Sequence, residues 1–165
     1  MPVPVSNATG GGSVTQHWTF DREIPPDDDV LQRLAYYREG HNARNAGLVT
    51  FEVLSFFKVF ESRIATPKGQ ANPTKTWILS VFDVVKGNLR KDTIAQFTAD
   101  CGQKGVDNYI FENCRVATAH TSPNFPSDAD SSLELRRLHV AAEIVHALAR
   151  HYLATKHGLS ESRFG

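Results

Sequence analysis

A long amphipathic helix near the C-terminus constrains the fold of this 165-residue chain more than any other segment. The run Ser131-Ser132-Leu133-Glu134 has the pattern of a capping box, in which serine and glutamate side chains satisfy the first free N–H groups of a helix. Gly158 is a typical C-terminal stop, because glycine readily adopts the left-handed conformation. The apolar stripe between these ends comprises Leu135, Leu138, Ala142, Val145, Ala149 and Tyr152. Other elements of the chain must cover this stripe.

Two segments in the first half of the chain predict further helices. One opens at Asp27-Asp28-Asp29, where carboxylates suit the positive end of the helix dipole, and weakens near Gly40. The other runs from Ala43 to about Arg63 and has a broad apolar face, which we expect to form core or dimer interface. That face comprises Leu48, Phe51, Val53, Leu54, Phe56, Phe57 and Phe60.

Three weaker segments complete the pattern. Asn72-Pro73 predicts an N-cap followed by proline at the first helical position, and the apolar run Trp77 to Val85 follows it. The β-branched residues of that run also fit a strand. Leu89 to Ala99 predicts a short helix, and Asp107 predicts the cap of a helix that ends near His120.

The sum is an all-α bundle of four or five main helices with a flexible N-terminal tail. Residues 1–26, rich in Pro, Ser, Asn and Gly, are expected to form a flexible or extended segment. Residues 27–158 form the helical domain, and residues 159–165 a C-terminal tail. No apolar run reaches the ~18 residues needed to cross a membrane, and no signal peptide is apparent, so we expect a cytoplasmic protein without a membrane partner.

The charge balance limits the kind of nucleic-acid binding that this chain can perform. Lys+Arg and Asp+Glu are equal at 18 each, which gives a formal net charge of zero. Tight, sequence-independent binding of nucleic acid usually needs an excess of basic residues over acidic ones. Any nucleic-acid site on this chain must therefore be a local patch or form between subunits. The two cysteines, Cys101 and Cys114, fit no metal or redox spacing and predict ordinary thiols.

The pair Arg115 and His120 carries the main functional hypothesis. An imidazole can move the proton of an RNA 2′-hydroxyl, and a guanidinium can hold the adjacent phosphate, without any metal or other cofactor. Five residues correspond to about 500° of rotation in an α-helix, which leaves the two side chains about 140° apart. They converge if the helix ends or bends before His120, as Thr121-Ser122-Pro123 suggests, or if two copies meet in a dimer.

The run Arg115-Val116-Ala117-Thr118-Ala119-His120 resembles the Arg-x-x-x-x-His motif of the HEPN (higher eukaryote and prokaryote nucleotide-binding) family of helical bundles. Ala46 to Glu61 resembles the first long helix of such domains, and the abortive-infection-like and methylamine-utilisation-like subgroups are nearest. The resemblance implies a homodimer whose two motifs face each other in a basic cleft. It implies a metal-independent endoribonuclease acting on RNA such as tRNA or mRNA, often as a toxin or defence effector with an antitoxin or other partner protein.

Residue by residue, the resemblance makes His120 the acid/base group and Arg115 the phosphate holder. Glu112 would orient the arginine, and Asn113 and Thr121 are further candidates by adjacency. Active members commonly place a polar residue directly after the arginine, where this chain has Val116. This departure favours the alternative of a catalytically inactive HEPN-like module that binds nucleic acid or protein.

Two further interpretations concern the helix surface. A helical scaffold or accessory protein without a nucleic-acid role is a third possibility, in which Arg115 pairs with Glu112 or Glu134. His139, Glu143 and His146 share one face of the last helix, and Glu143-x-x-His146 has the spacing of di-iron bundles. The sequence has no second Glu-x-x-His, so this face is predicted to be solvated or dimer-facing, without a metal.

Overall fold

The computed structural model describes residues 27–63, 66–116 and 131–159, and within them the chain is helical without any strand. The prediction of an all-α bundle is confirmed. The predicted N-terminal segment 1–26 lies outside the described residues. The elements are α1 (Asp28–Asn45), α2 (Val49–Phe60), α3 (Pro73–Lys86), α4 (Lys91–Cys101), α5 (Val106–Asn108), the π-helix π1 (Tyr109–Val116) and α6 (Ser132–His157).

Side-chain caps fix the start of three helices at the predicted positions. Asp27 accepts a hydrogen bond from the backbone N–H of Asp29 at 2.8 Å. Asn72 accepts two, from Thr74 at 2.9 Å and Lys75 at 3.2 Å. Ser131 accepts from Glu134 at 3.4 Å, and Gly158 ends α6 with φ 64°. Such caps satisfy N–H groups that have no partner inside the helix, so the polar residues at these positions set the boundaries.

The predicted weakening of α1 near Gly40 was wrong, because α1 continues to Asn45. Gly40 is a contact position: a Cβ atom there would lie 2.5 Å from the ring of Phe56 on α2. The break between α1 and α2 falls instead at Gly47, whose φ of 71° favours glycine. The second helix is therefore shorter than the predicted span of 43 to about 63.

The segment Trp77 to Val85 is helical, which excludes the strand alternative. The cap at Asn72 and the proline at the first helical position outweigh the β-branched composition. Ile78 and Val85 are buried on one side of α3.

Helix α2 lies at the centre of the bundle and packs on both α1 and α6. Its fully buried side chains include Val53, Phe56 and Phe57, which meet Leu138, Val145 and Leu148 of α6 in one core. Two residues of the predicted apolar face are exposed. Phe51 is 61% exposed and Leu48 is 52% exposed, because they lie on the side of α2 that neither neighbour covers. No helix in the described ranges is both long and apolar enough to span a bilayer.

Candidate functional site

The site begins with the local winding of the chain around Arg115. Residues Tyr109–Val116 form a π-helix, in which the hydrogen bonds run from residue i to i+5. Tyr109 and Cys114, five positions apart, are both buried, and Ile110 is fully buried beside them. Such winding is rare and often occurs at functional sites. The sequence predicted an ordinary helix here, because periodicity alone does not separate the two windings.

Arg115 lies near the end of π1, and its guanidinium is held against α2. Its Nη2 lies 2.8 Å from Oε1 of Glu61, the residue that follows the last turn of α2. The guanidinium carbon lies 5.5 Å from the centre of the Phe111 ring. Both ion-pair partners are partly exposed, at 30% and 26%, so the pair is accessible from solvent.

Lys75 provides a second cationic group beside the same aromatic ring. Its Nζ lies 2.9 Å from Oε1 of Glu112 and 2.8 Å from Oδ1 of Asn108. The same nitrogen is 5.0 Å from the centre of the Phe111 ring. Phe111 therefore contacts two cations, Lys75 from the first turn of α3 and Arg115 from π1, each of which also has a carboxylate partner.

The supporting residues predicted from the motif have partners of their own. The Glu112 carboxylate binds Lys75, and the carboxylate beside Arg115 belongs to Glu61 instead of Glu112. Asn113 accepts a hydrogen bond from Lys104 Nζ at 2.7 Å. His120 and Thr121 lie outside the described residues.

Sequence reasoning missed the roles of Glu61 and Lys75. Glu61 is separated from Arg115 by 54 positions, and Lys75 from Glu112 by 37. Spacing rules apply within one helix, so contacts between helices leave no such signal. The only hint in the sequence is the position of Glu61 at the end of the strongest apolar segment in the first half.

The polar face predicted on α6 divides into an outer and an inner part. His139 and Glu143 are exposed, whereas His146 turns towards α1. Its Nε2 lies 2.9 Å from Tyr37 Oη, and its Nδ1 lies 3.3 Å from Nη1 of Arg44. The prediction that His146 belongs to a solvated or dimer-facing surface was therefore wrong.

Burial and nearby cations keep His146 neutral. Burial, together with the nearby charges of Arg44, His41 and Arg150, lowers the pKa of His146 to about 3. Burial also lowers the pKa of His41, whose ring lies 5.0 Å from that of His146. No group of three or more His, Cys, Asp or Glu side chains within the described ranges could hold a metal ion.

The surroundings of the two cysteine thiols indicate a structural role and not a reactive one. Cys101 and Cys114 are buried and are not joined in a disulfide bond. Burial raises the pKa of the Cys101 thiol to about 11 and that of Cys114 to about 12. Because the thiolate is the reactive form, neither cysteine is poised as a nucleophile.

These features define a small helical-bundle domain with an accessible arginine on a π-wound segment. The model of the family described as Methylamine utilization protein MauJ matches residues 33–154, a range that runs from α1 into the last turns of α6. The chain belongs to the MauJ family. The match confirms the part of the sequence resemblance that concerns methylamine-utilisation proteins. No curated protein and no solved structure shows significant similarity to the chain.

Proposed function

We propose that this protein is a HEPN-like domain that cleaves RNA without a metal, with Arg115 as the phosphate-holding group and His120 as the acid/base group. The observation that carries the proposal is the placement of Arg115 on π1, partly exposed and fixed by Glu61. A fixed guanidinium at an accessible position suits a phosphodiester, whose two free oxygens accept two parallel N–H bonds. The same group stabilises the negative charge that grows on the phosphate in the transition state.

The proposal also depends on where His120 lies relative to Arg115. A separation of five positions places side chains about 140° apart on an α-helix. Arg115 lies in a π-helix and His120 lies beyond the described residues. The proposal requires that the imidazole reach the phosphate that Arg115 holds, from the same chain or from the second copy in a homodimer.

The test is cleavage of labelled single-stranded RNA and tRNA in EDTA. Wild type is expected to leave cyclic-phosphate ends, and His120→Ala and Arg115→Ala are expected to lose cleavage by about 100-fold or more, as for loss of an acid/base group or of a transition-state donor. Exposed residues of α6 provide matched controls: His139→Ala and Arg136→Ala should cleave like wild type. Equal background in all five proteins would overturn the proposal.

One observation favours a second candidate, a non-catalytic HEPN-like module that binds RNA or a partner protein such as an antitoxin. Each of the two cations at Phe111 has a carboxylate neighbour, so the charges of these four described groups balance. Together with Val116 and the zero net charge, this balance suits weak binding more than strong phosphate activation. The discriminating result is binding of RNA, weakened in Arg115→Ala, without cleavage in the assay above.

The proposed dimer has its own test. Sedimentation equilibrium of wild type at several concentrations is expected to give twice the mass of the 18.3 kDa chain. A monomer that nevertheless cleaves RNA would show that one chain supplies both Arg115 and His120.

A further inference from the structure

Arg137 of α6 is the side chain that ties the last helix to π1. Its Nη1 donates to Tyr109 Oη at 2.9 Å, at the first residue of π1. Its Nη2 donates to the backbone carbonyl of Asn113 at 2.9 Å, and the guanidinium also reaches Sγ of Cys114 at 3.7 Å. One planar group therefore contacts both ends of a single π-turn.

Glu134 fixes Arg137 in this position. The Nε of Arg137 donates to Oε2 of Glu134 at 2.7 Å, and Nη2 donates to the other carboxylate oxygen. This two-point geometry is the most directional ion pair available to an arginine. The two side chains are 20% and 16% exposed, so the pair is better shielded from solvent than the Arg115–Glu61 pair.

The contact to the Asn113 carbonyl lies near the end of π1, two residues before Arg115. A π-turn takes up one residue more than an α-turn. Rewinding it as an α-turn would rotate every later position by about 100°. Such a rotation would carry Arg115 away from Glu61 and Phe111.

We propose that Arg137, held by Glu134, is a positioning residue that selects the π winding of residues 109–116 and thereby sets the direction of Arg115. The proposed effect on the winding of π1 rests on the hydrogen bonds of Arg137 to Tyr109, Asn113 and Glu134. The consequence for RNA rests on the proposed function. Arg137 acts on Arg115 through π1, which it contacts at Tyr109 and at the Asn113 carbonyl.

Hydrogen exchange tests the winding without reference to RNA. In Arg137→Met, amides of residues 109–116 are expected to exchange about tenfold faster or more, while α2 amides keep their protection. Arg137→Lys keeps the charge but offers no planar fork, so it should not restore protection. The control is Arg136→Met, which removes an exposed arginine from the preceding position. Unchanged exchange in Arg137→Met would overturn the proposal.

A mutant cycle tests the link to Arg115. Arg137→Met is expected to lower kcat with little change in KM in the wild-type background, and to have no further effect in Arg115→Ala. Equal losses in both backgrounds would overturn the link, because Arg137 would then act independently of Arg115. If wild type does not cleave RNA but Arg137→Met still loosens π1, the proposed function fails and the winding role stands. Should Arg137→Met not fold, Glu134→Gln weakens the same clamp with a smaller change in volume.

Discussion

Tyr37 and His146, 109 positions apart in sequence, meet at 2.9 Å between Oη and Nε2 in the interface of α1 and α6. Arg44 contacts the other ring nitrogen at 3.3 Å. Because a guanidinium can only donate, Nδ1 of His146 must accept, and the proton of the neutral ring lies on Nε2, which donates to the Tyr37 oxygen. Protonation of Nδ1 would place two donors face to face. This geometry agrees with the lowered pKa of His146.

Acid is therefore expected to destabilise the fold through His146. The pKa of His146 is about 3 in the folded protein, against the ordinary value of 6.5 that applies to the unfolded chain. The unfolded chain therefore binds the proton more readily. The stabilising contribution is present above pH 6.5 and is lost as the pH falls from 6.5 towards 3, by about 2 kcal/mol at pH 5. Urea unfolding of wild type and His146→Gln between pH 4 and 8 measures it. We expect the variant to lose less stability than wild type on acidification.

The exposed histidine of the same helix is the control for that measurement. His139→Gln should retain the wild-type pH dependence, since His139 is exposed on the outer part of the α6 face. If the free energy of unfolding of wild type and of His146→Gln falls in parallel as the pH is lowered, the assignment of acid sensitivity to His146 is contradicted.

Gly40→Ala is expected to destabilise the protein although alanine favours helix. The added Cβ would lie 2.5 Å from a ring atom of Phe56, which is fully buried, so the ring or one of the two helices must shift. Overpacking of this kind costs about 1–3 kcal/mol, more than the ~1 kcal/mol gained in helix propensity. Thermal or urea unfolding measures the difference in the free energy of unfolding between wild type and Gly40→Ala. At Gly87 a Cβ would meet two backbone oxygens at 3.4 and 4.0 Å, both at ordinary contact distance, so Gly87→Ala should be near neutral. An equal loss of stability there would argue against the steric reason.

Gly40 also illustrates a feature of the fold that local sequence patterns cannot predict, a contact between two helices. Local chemistry predicted what depends on a few neighbouring residues: the caps at Asp27, Asn72 and Ser131, and the stop at Gly158. The sequence predicts a weakening of α1 at Gly40, because the Phe56 ring that requires glycine there lies on another helix.

The same limit applies to the candidate site. The sequence predicts that Glu112, one turn away, orients the candidate residue Arg115, whereas the structure places Glu61 beside it. Likewise, His146 follows a helical spacing that suggests an outer face, and only packing against α1 turns it inwards. Contacts between helices depend on how the helices cross, which one-dimensional spacing does not contain.

Arg33→Met is expected to cost about 1–3 kcal/mol, the range for leaving a buried acceptor without its donor. Nη1 of Arg33 donates to the buried carbonyl of Val59 at 2.5 Å, near the end of α2. Asp29 would keep a second cation, Arg63 at 2.9 Å, so the loss reports mainly on the carbonyl. Arg38→Met removes an exposed arginine from the same helix and should change stability by less than about 0.5 kcal/mol. Equal effects at both positions would rule out a special role for the Val59 contact.

The pair Arg115–Glu61 gives a prediction that depends on the proposed function. A phosphate that binds Arg115 must compete with the Glu61 carboxylate, which lies 2.8 Å from Nη2. Glu61→Gln keeps the size of the side chain but removes the competing charge. RNA affinity is therefore expected to rise by about two- to fivefold at low salt, as for loss of a partly exposed ion pair. Fluorescence anisotropy with labelled single-stranded RNA measures it.

The control for this prediction is Glu39→Gln, which makes the same change in net charge at an exposed position of α1. If both variants bind RNA more tightly by the same factor, the gain comes from overall charge and not from the site. If Glu61→Gln binds RNA less tightly than wild type, the carboxylate acts by orienting the guanidinium, and competition with phosphate is the smaller effect. An increase confined to Glu61→Gln and absent when combined with Arg115→Ala would place the RNA phosphate at Arg115.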